Sequence, residues 1–325
     1  MSRILVTGGA GYIGSHACKM LRAAGHEPIA FDNLRTGWKA AVKFGPLIEG
    51  DLLDRDTLAA AFKEAQPEAV MHFAALSNVG ESVKDPELYW RNNVTGSLNL
   101  LSAMRDAGVG KIVFSSTAAT YGEPDQDPIT ETAPQKPINP YGASKLAVEA
   151  MLDDFEAAHG LKSIAFRYFN VAGADPEAEI GEDHRPETHL VPLVLDAAAG
   201  DRENITIFGD DYATPDGTCI RDYVHVCDLI DAHILGLDHL MQGGGSLRLN
   251  LGTGHGFSVR EVIDAVDEAL QMKVPRKMGT RRGGDPARLV CDGSRAKAAL
   301  GWAPKRSVME TMVTDAWRWR QTGRY

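Results

Sequence analysis

Apolar residues in the first half of the chain fall into short runs separated by longer amphipathic stretches. The runs at 4–6, 28–31, 47–49, 69–73, 111–115 and 163–166 are too short for helices and are bounded by turn residues, which predicts buried strands. Between them, residues 12–24, 56–65, 87–107 and 141–159 read as helices, and Gly25 and Gly108 stand where two of these should end. Strands alternating with helices predict a parallel sheet covered on both faces. Past about residue 170 the alternation stops. Residues 173–189, rich in Pro, Glu, Asp and Gly, read as a long loop, followed by a helix at 190–199, a strand at 206–208 and a glycine break at 243–245. The expected division is a domain over 1–170 and a smaller one over 171–325, with 221–237 returning to the first.

Composition narrows the class. Of 325 residues, 44% are hydrophobic and 24% charged, an ordinary globular balance. A formal charge of −10 argues against nucleic acid or an anionic membrane as partner, so an anionic ligand must be held by helix N-termini and placed arginines. Cys18, Cys219, Cys227 and Cys291 are scattered, with no CxxC pair, which predicts reduced thiols in a cytoplasmic protein. The strand pattern begins at residue 4, so no signal peptide is expected, and no apolar run reaches the ~18 residues of a membrane span.

The first chemical signal is Thr7-Gly8-Gly9-Ala10-Gly11-Tyr12-Ile13-Gly14, directly after a strand and opening a helix. Glycines there permit a tight turn and let backbone N–H groups and a helix N-terminus approach a pyrophosphate. The next strand ends in Phe31-Asp32-Asn33; a carboxylate at Asp32 can accept both hydroxyls of an adenosine ribose and repels a 2′-phosphate, which favours NAD over NADP. Asp51 follows the third strand, where it can bond an adenine amino group. His72-Phe73-Ala74-Ala75 ends the fourth, where small Ala74 and Ala75 leave space for a cofactor.

Tyr141 and Lys145 sit at i and i+4 of a helical pattern, hence on one face. An ammonium beside a phenol lowers the phenol's pKa and prepares a general base. Thr117, after the strand ending in Phe114-Ser115, can bond the same substrate hydroxyl. His184 and His189 with Glu182 or Asp183 match no ligand spacing of a closed metal site, so no metal is expected. His225 reads as structural.

Taken in order, TGGAGYIGS, FDNL, GDLLD, HFAA, NNV, SSTAATYGEP, NPYGASK, RYFNVAGA, DGTCIRDYVHV and RRGGDPARLV resemble the extended short-chain dehydrogenases, and among them the nucleotide-sugar 4-epimerases, from about residue 3 to about 304. The resemblance implies an α/β fold, a Rossmann-type doubly wound parallel sheet with a smaller mixed α/β C-terminal substrate domain. It implies epimerisation at C4 of a UDP-hexose through a transient 4-keto sugar, with Thr117, Tyr141 and Lys145 catalytic. Gly8, Gly11, Tyr12, Ile13, Gly14, Asp32, Asn33, Asp51, Leu52, Phe73, Ala74, Asn92, Tyr168 and Phe169 would contact NAD, alongside Ala75, Tyr141 and Lys145. Asn170, His189, Leu190, Phe208, Arg221, Arg282, Asp285 and Leu289 would line the UDP-sugar site, and a homodimer would form through residues 87–107 and 141–159. Ser77 departs from a family lysine near the NAD phosphates, His189 from an asparagine, and Leu289 from a tyrosine.

Other readings stay open. A related epimerase could take a UDP-pentose or a UDP-N-acetylhexosamine. A 4,6-dehydratase needs an acid and a base after the threonine, where this chain has Ala118-Ala119. A 4-keto reductase would consume added nicotinamide, and a non-enzymatic NAD sensor could dispense with the Tyr–Lys pair that this chain keeps.

Overall fold

The computed structural model describes residues 1–281 and 286–325. Its centre is a seven-stranded sheet with every neighbouring pair parallel. The strands are β1 (Arg3–Thr7), β2 (Glu27–Asp32), β3 (Leu47–Glu49), β4 (Ala69–His72), β5 (Lys111–Ser115), β6 (Lys162–Arg167) and, after an excursion, β10 (Leu247–Asn250). Their spatial order is β10-β6-β5-β4-β1-β2-β3, which reverses direction beside β1. In open α/β sheets that reversal makes the ligand crevice, at the carboxyl ends of the strands.

Period-two alternation along each strand assigns its side chains to one of two cores. Ile4, Val6, Met71, Val113, Ile164 and Phe166 face one way, against α1 (Tyr12–Ala23) and α8 (Val226–Met241). Leu5, Val70, Ile112, Phe114 and Ala165 face the other, against α2 (Arg55–Ala65), α5 (Gly96–Asp106) and α6 (Pro140–His159). The two expected terminating glycines follow the caps of α1 and α5, Gly25 at φ +86° and Gly108 at φ +71°. The helix expected over 87–107 is broken: α3 (Val79–Lys84) and α4 (Pro86–Tyr89) lead into a π-helical stretch, Trp90–Thr95, before α5. Such stretches recur at functional sites, and this one carries Asn92 and Asn93.

The second half builds a third core from α7 (Leu190–Ala199), α9 (Val259–Leu270) and α11 (Met309–Gln321). Two small sheets accompany it. One joins β7 (Asn170–Ala172), β9 (Ile220–His225), β11 (Gly256–Ser258) and β13 (Arg288–Leu289); the other pairs β8 (Ile205–Phe208) with β12 (Arg276–Gly279). α10 (Ser294–Leu300) returns to the first core through Ala296, as do α8 and β10. No strand or helix occurs between β7 and α7, the long loop that the composition predicts. Among the described residues, no helix is long and apolar enough to cross a membrane.

Candidate active site

The glycine turn is shaped by two different demands. A Cβ on Gly14 would lie 2.1 Å from the Gly8 carbonyl oxygen, and one on Gly8, itself at φ +75°, would lie 2.7 Å from the Ala74 nitrogen. Both positions are closed by the protein's own packing. A Cβ on Gly11 would meet only the Gly8 oxygen, at 3.3 Å. Gly11 therefore keeps open a space that the fold does not fill. It also N-caps α1, which has no capping side chain and no acid in its first turn. The positive helix end over that space suits a phosphate.

Asp32 ends β2 and is buried; its two oxygens accept from the N–H groups of Ala10 (3.0 Å) and Leu34 (2.8 Å). Burial raises its pKa while those N–H groups oppose the shift. Asn33 donates to Asp51 at 2.9 Å, and Asp51 accepts from the Leu53 N–H at 2.8 Å, so the ends of β2 and β3 are tied together. Leu52 is buried beside Gly96, where a Cβ would come within 3.2 Å of it. The N–H groups of Phe73 and Ala74 both donate to the Thr7 carbonyl, holding β4's end against β1's, while Ala75 continues half-buried and Ser77 is exposed. Ile13 is half-buried on α1, and the Tyr12 hydroxyl donates to the Gly173 carbonyl at 2.7 Å. Asn92 donates to Asn93 at 3.0 Å, and Asn93 grips both the N–H and the carbonyl of Leu76.

The catalytic candidates come together from two places, the turn after β5 and the first turns of α6. Asn139 caps α6 by accepting from the Gly142 N–H at 2.8 Å, and Pro140 occupies the first turn, which places Tyr141 at the helix start and Lys145 one turn on. Thr117 follows β5 and accepts from the Ala119 N–H at 3.1 Å; its hydroxyl also lies near enough to the Tyr141 phenol to pull that phenol's pKa down. Lys145 Nζ donates to the Ser115 carbonyl at 2.7 Å and sits 4.8 Å from the Phe114 ring centroid.

The electrostatics differ from the sequence expectation. The Tyr141 pKa is raised, not lowered: burial acts most strongly, with the Thr117 hydroxyl pulling the other way. Burial pushes Lys145 down to about 7, against the attraction of Glu149. Desolvation disfavours whichever form carries charge, and at both groups it acts more strongly than the opposing interaction.

Tyr168 follows β6, and its hydroxyl is hydrogen-bonded to Ser115 Oγ. Phe169 packs with Leu289 against Ala118 and Tyr121. Leu289 pairs in register with Arg221, whose Nη1 donates to the Ile220 carbonyl at 2.7 Å. Asn170 donates to the Asp222 carbonyl at 3.2 Å. His189 precedes α7 and Leu190 opens it, while Phe208 ends β8 with 37% of its surface exposed. Arg282 and Asp285 lie outside the described residues. His225 caps α8 by accepting from the Cys227 N–H at 3.0 Å, a structural role.

Several residues of this region are not read from the motifs. Glu149 lies one turn after Lys145 and accepts from Ser116 Oγ at 2.5 Å and from Arg167. Arg167 Nη1 donates to the Tyr121 hydroxyl (2.8 Å), which donates to Asn250 (2.7 Å). The i, i+4 spacing of Lys145 and Glu149 is a signal the sequence does hold. The Asn250 contact is long-range and has none.

A doubly wound parallel α/β scaffold of the nucleotide-binding type is the class that this fold defines, and the comparisons narrow it. The chain belongs to the NAD dependent epimerase/dehydratase family, whose model matches residues 4–252. Within that family it is similar to UDP-glucose 4-epimerases: that of Lacticaseibacillus casei is 50% identical over 319 residues, 98% of this chain and 96% of the relative. The UDP-glucose 4-epimerase from Brucella ovis in complex with NAD superposes with a TM-score of 0.96 at 48% identity, covering 98% of each chain. The enzyme from Bifidobacterium longum in complex with NAD+ and UDP gives 0.93 at 38% identity, again over 98% of each.

Proposed function

We propose that Thr117, Tyr141 and Lys145 carry the proton chemistry of an NAD-dependent epimerisation at C4 of a UDP-hexose. The reaction itself follows from the family and from relatives that match along nearly the whole chain. The observation that carries the residue assignment is the convergence of the Thr117 hydroxyl and the Tyr141 phenol at the carboxyl edge of β5, with Lys145 buried one turn along α6.

When bound, NAD would supply the hydride acceptor and donor for C4 of the sugar. The open Gly11 turn and the bare N-terminus of α1 fit its pyrophosphate, and Asp32 fits the adenosine ribose. Tyr141 takes the proton from O4 and later gives it back; Thr117 is placed to relay it. Lys145, whose pKa burial lowers to about 7, titrates near neutrality and supplies a nearby positive charge in its protonated form. Asn170, His189, Leu190, Phe208, Arg221 and Leu289 of this structure, with Arg282 and Asp285, are assigned to the UDP-sugar. Paired guanidinium donors suit a diphosphate.

The substrate is UDP-glucose or UDP-galactose, which places the enzyme in galactose metabolism. The scattered thiols, free in the structure, fit the cytoplasm. A homodimer through residues 87–107 and 141–159 is supported by Trp90 and Leu98, which leave 43% and 42% of their surfaces exposed along the first of these stretches. Denaturing the purified protein should release NAD, and UDP-galactose should be converted without added coenzyme. Strict dependence on added NADPH, with its stoichiometric oxidation, would overturn this reading in favour of a reductase.

A further inference from the structure

The turn that carries Thr117 is held at both ends by one buried ion pair. Thr117 caps the short 3₁₀ helix Ala118–Tyr121. Just before it, Ser116 Oγ donates to Glu149 Oε1 at 2.5 Å. At the far end the Tyr121 hydroxyl accepts from Arg167 Nη1 at 2.8 Å and donates to Asn250 Oδ1 at 2.7 Å. Glu149 and Arg167 are themselves joined, Arg167 Nε lying 3.0 Å from the oxygen that also accepts from Ser116. Ser116, Tyr121, Glu149 and Arg167 have no part in the proton chemistry or in either binding site described above.

These bonds join three elements where they meet. Glu149 belongs to α6, Arg167 ends β6, and Ser116 follows β5. The Ser116 backbone is fixed as well, its N–H donating to the Phe166 carbonyl at 2.9 Å. All four side chains are buried, in a medium that strengthens each polar contact. The ion pair does not need the two hydroxyls for neutrality, because Arg167 already meets both carboxylate oxygens of Glu149. What Ser116 and Tyr121 add is a tie from the pair to the turn.

The hold on Ser116 reaches Thr117 through the backbone. Thr117 is extended, at φ −149° and ψ 147°, so fixing its neighbour leaves it little freedom. On α6, Glu149 stands one turn beyond Lys145 and about two beyond Tyr141. The helix meets the same turn twice more. Lys145 Nζ donates to the Ser115 carbonyl at 2.7 Å, and a Cβ on Gly142 would lie 2.5 Å from the Ala119 carbonyl oxygen. Helix and turn are therefore in contact beside Tyr141, with their register set from the Glu149 end.

We propose that Ser116 and Tyr121 are positioning residues, through which the Glu149–Arg167 pair holds the Thr117 hydroxyl where proton relay with Tyr141 requires it. The inference rests on the assignment of Thr117 and Tyr141 to the proton chemistry. It makes kcat the quantity at stake, because a misplacement of about 1 Å at the reacting groups can cost about 100-fold in rate. The elements assigned to the NAD pyrophosphate and to UDP are different ones, so KM and cofactor content should be spared.

The test is a pair of double-mutant cycles on the full-length protein with its NAD, assayed with UDP-galactose. Ser116→Ala and Tyr121→Phe each delete one hydroxyl. Each should lower kcat about tenfold or more, with KM changed by less than about twofold and NAD content unchanged. Thr117→Ala lowers kcat by itself, and a residue that acts only by placing Thr117 then has nothing left to place. Adding Ser116→Ala or Tyr121→Phe to Thr117→Ala should therefore change kcat by less than about twofold. Circular dichroism reports folding. Where one variant does not fold the other cycle decides, and Ser116→Cys, which keeps the side chain while weakening the donor, stands in if neither does. Unchanged kcat in the folded single variants, a loss expressed in KM, or a loss multiplied in full onto that of Thr117→Ala would each overturn the proposal. Normal kcat in folded Thr117→Ala would be a different failure: it would remove Thr117 from the chemistry, and this proposal with it.

Discussion

Glu149 on α6 and Arg167 at the end of β6 form a buried bidentate ion pair, Arg167 donating from Nε to one carboxylate oxygen at 3.0 Å and from Nη2 to the other. The residues are 3% and 4% exposed, so neither charge can turn to water. Removing one partner leaves the other charged and unpaired. Glu149→Ala or Arg167→Met should therefore cost about 3–5 kcal/mol in urea unfolding. A change below about 1 kcal/mol would mean that water or another group replaces the lost partner.

Tyr141→Phe deletes one hydroxyl at the start of α6. The ring, which packs edge-on to Tyr89 at 6.5 Å, remains. kcat for UDP-galactose should fall by at least about two orders of magnitude, with unfolding unchanged. Near-normal turnover by folded Tyr141→Phe would remove the phenol from the mechanism.

The glycine turn separates folding from binding. Gly14→Ala puts a methyl 2.1 Å from the Gly8 oxygen and should lower the melting temperature. Gly11→Ala meets only one oxygen at 3.3 Å, so the fold should tolerate it. Its methyl instead enters the space assigned to the pyrophosphate, and NAD copurifying with the protein should drop at least about tenfold, a loss of roughly 1.4 kcal/mol. Equal NAD content in wild type and Gly11→Ala would place the phosphates elsewhere.

Lys145 gives stability a pH dependence of known sign. Burial lowers its pKa from 10.5 to about 7, so between those values the unfolded chain holds a proton that the folded chain has released. Stability then rises with pH through that window; below it, the folded state bears the full cost of a buried ammonium. The melting temperature of wild type minus that of Lys145→Met should increase from pH 7 toward pH 10. A flat or falling difference would show that Lys145 stays charged in the folded protein.

Leu289 touches the cluster of Ala118, Tyr121 and Phe169 and pairs with Arg221. That position joins the catalytic loop after β5 to an arginine assigned to the diphosphate. Leu289→Tyr should narrow the sugar site, lowering kcat/KM for UDP-N-acetylgalactosamine while sparing UDP-galactose. An unchanged ratio of the two would show that this side chain does not set sugar choice.

The local pattern already contains the six strands of the first half, the glycine turn and the Tyr141–Lys145 spacing, because strand burial, tight turns and helix faces are properties of neighbours in sequence. It also contains both terminating glycines, Gly25 and Gly108. Three other features are decided only in three dimensions. β10 is too short and too mixed to announce that it crosses back to pair with β6. The π-helical turn at Trp90–Thr95 interrupts a stretch that reads as one helix, since its register is set by Asn93 holding Leu76 and Ser144. The sign of the Tyr141 pKa shift depends on how deeply the phenol is buried, and spacing along a helix carries no measure of depth.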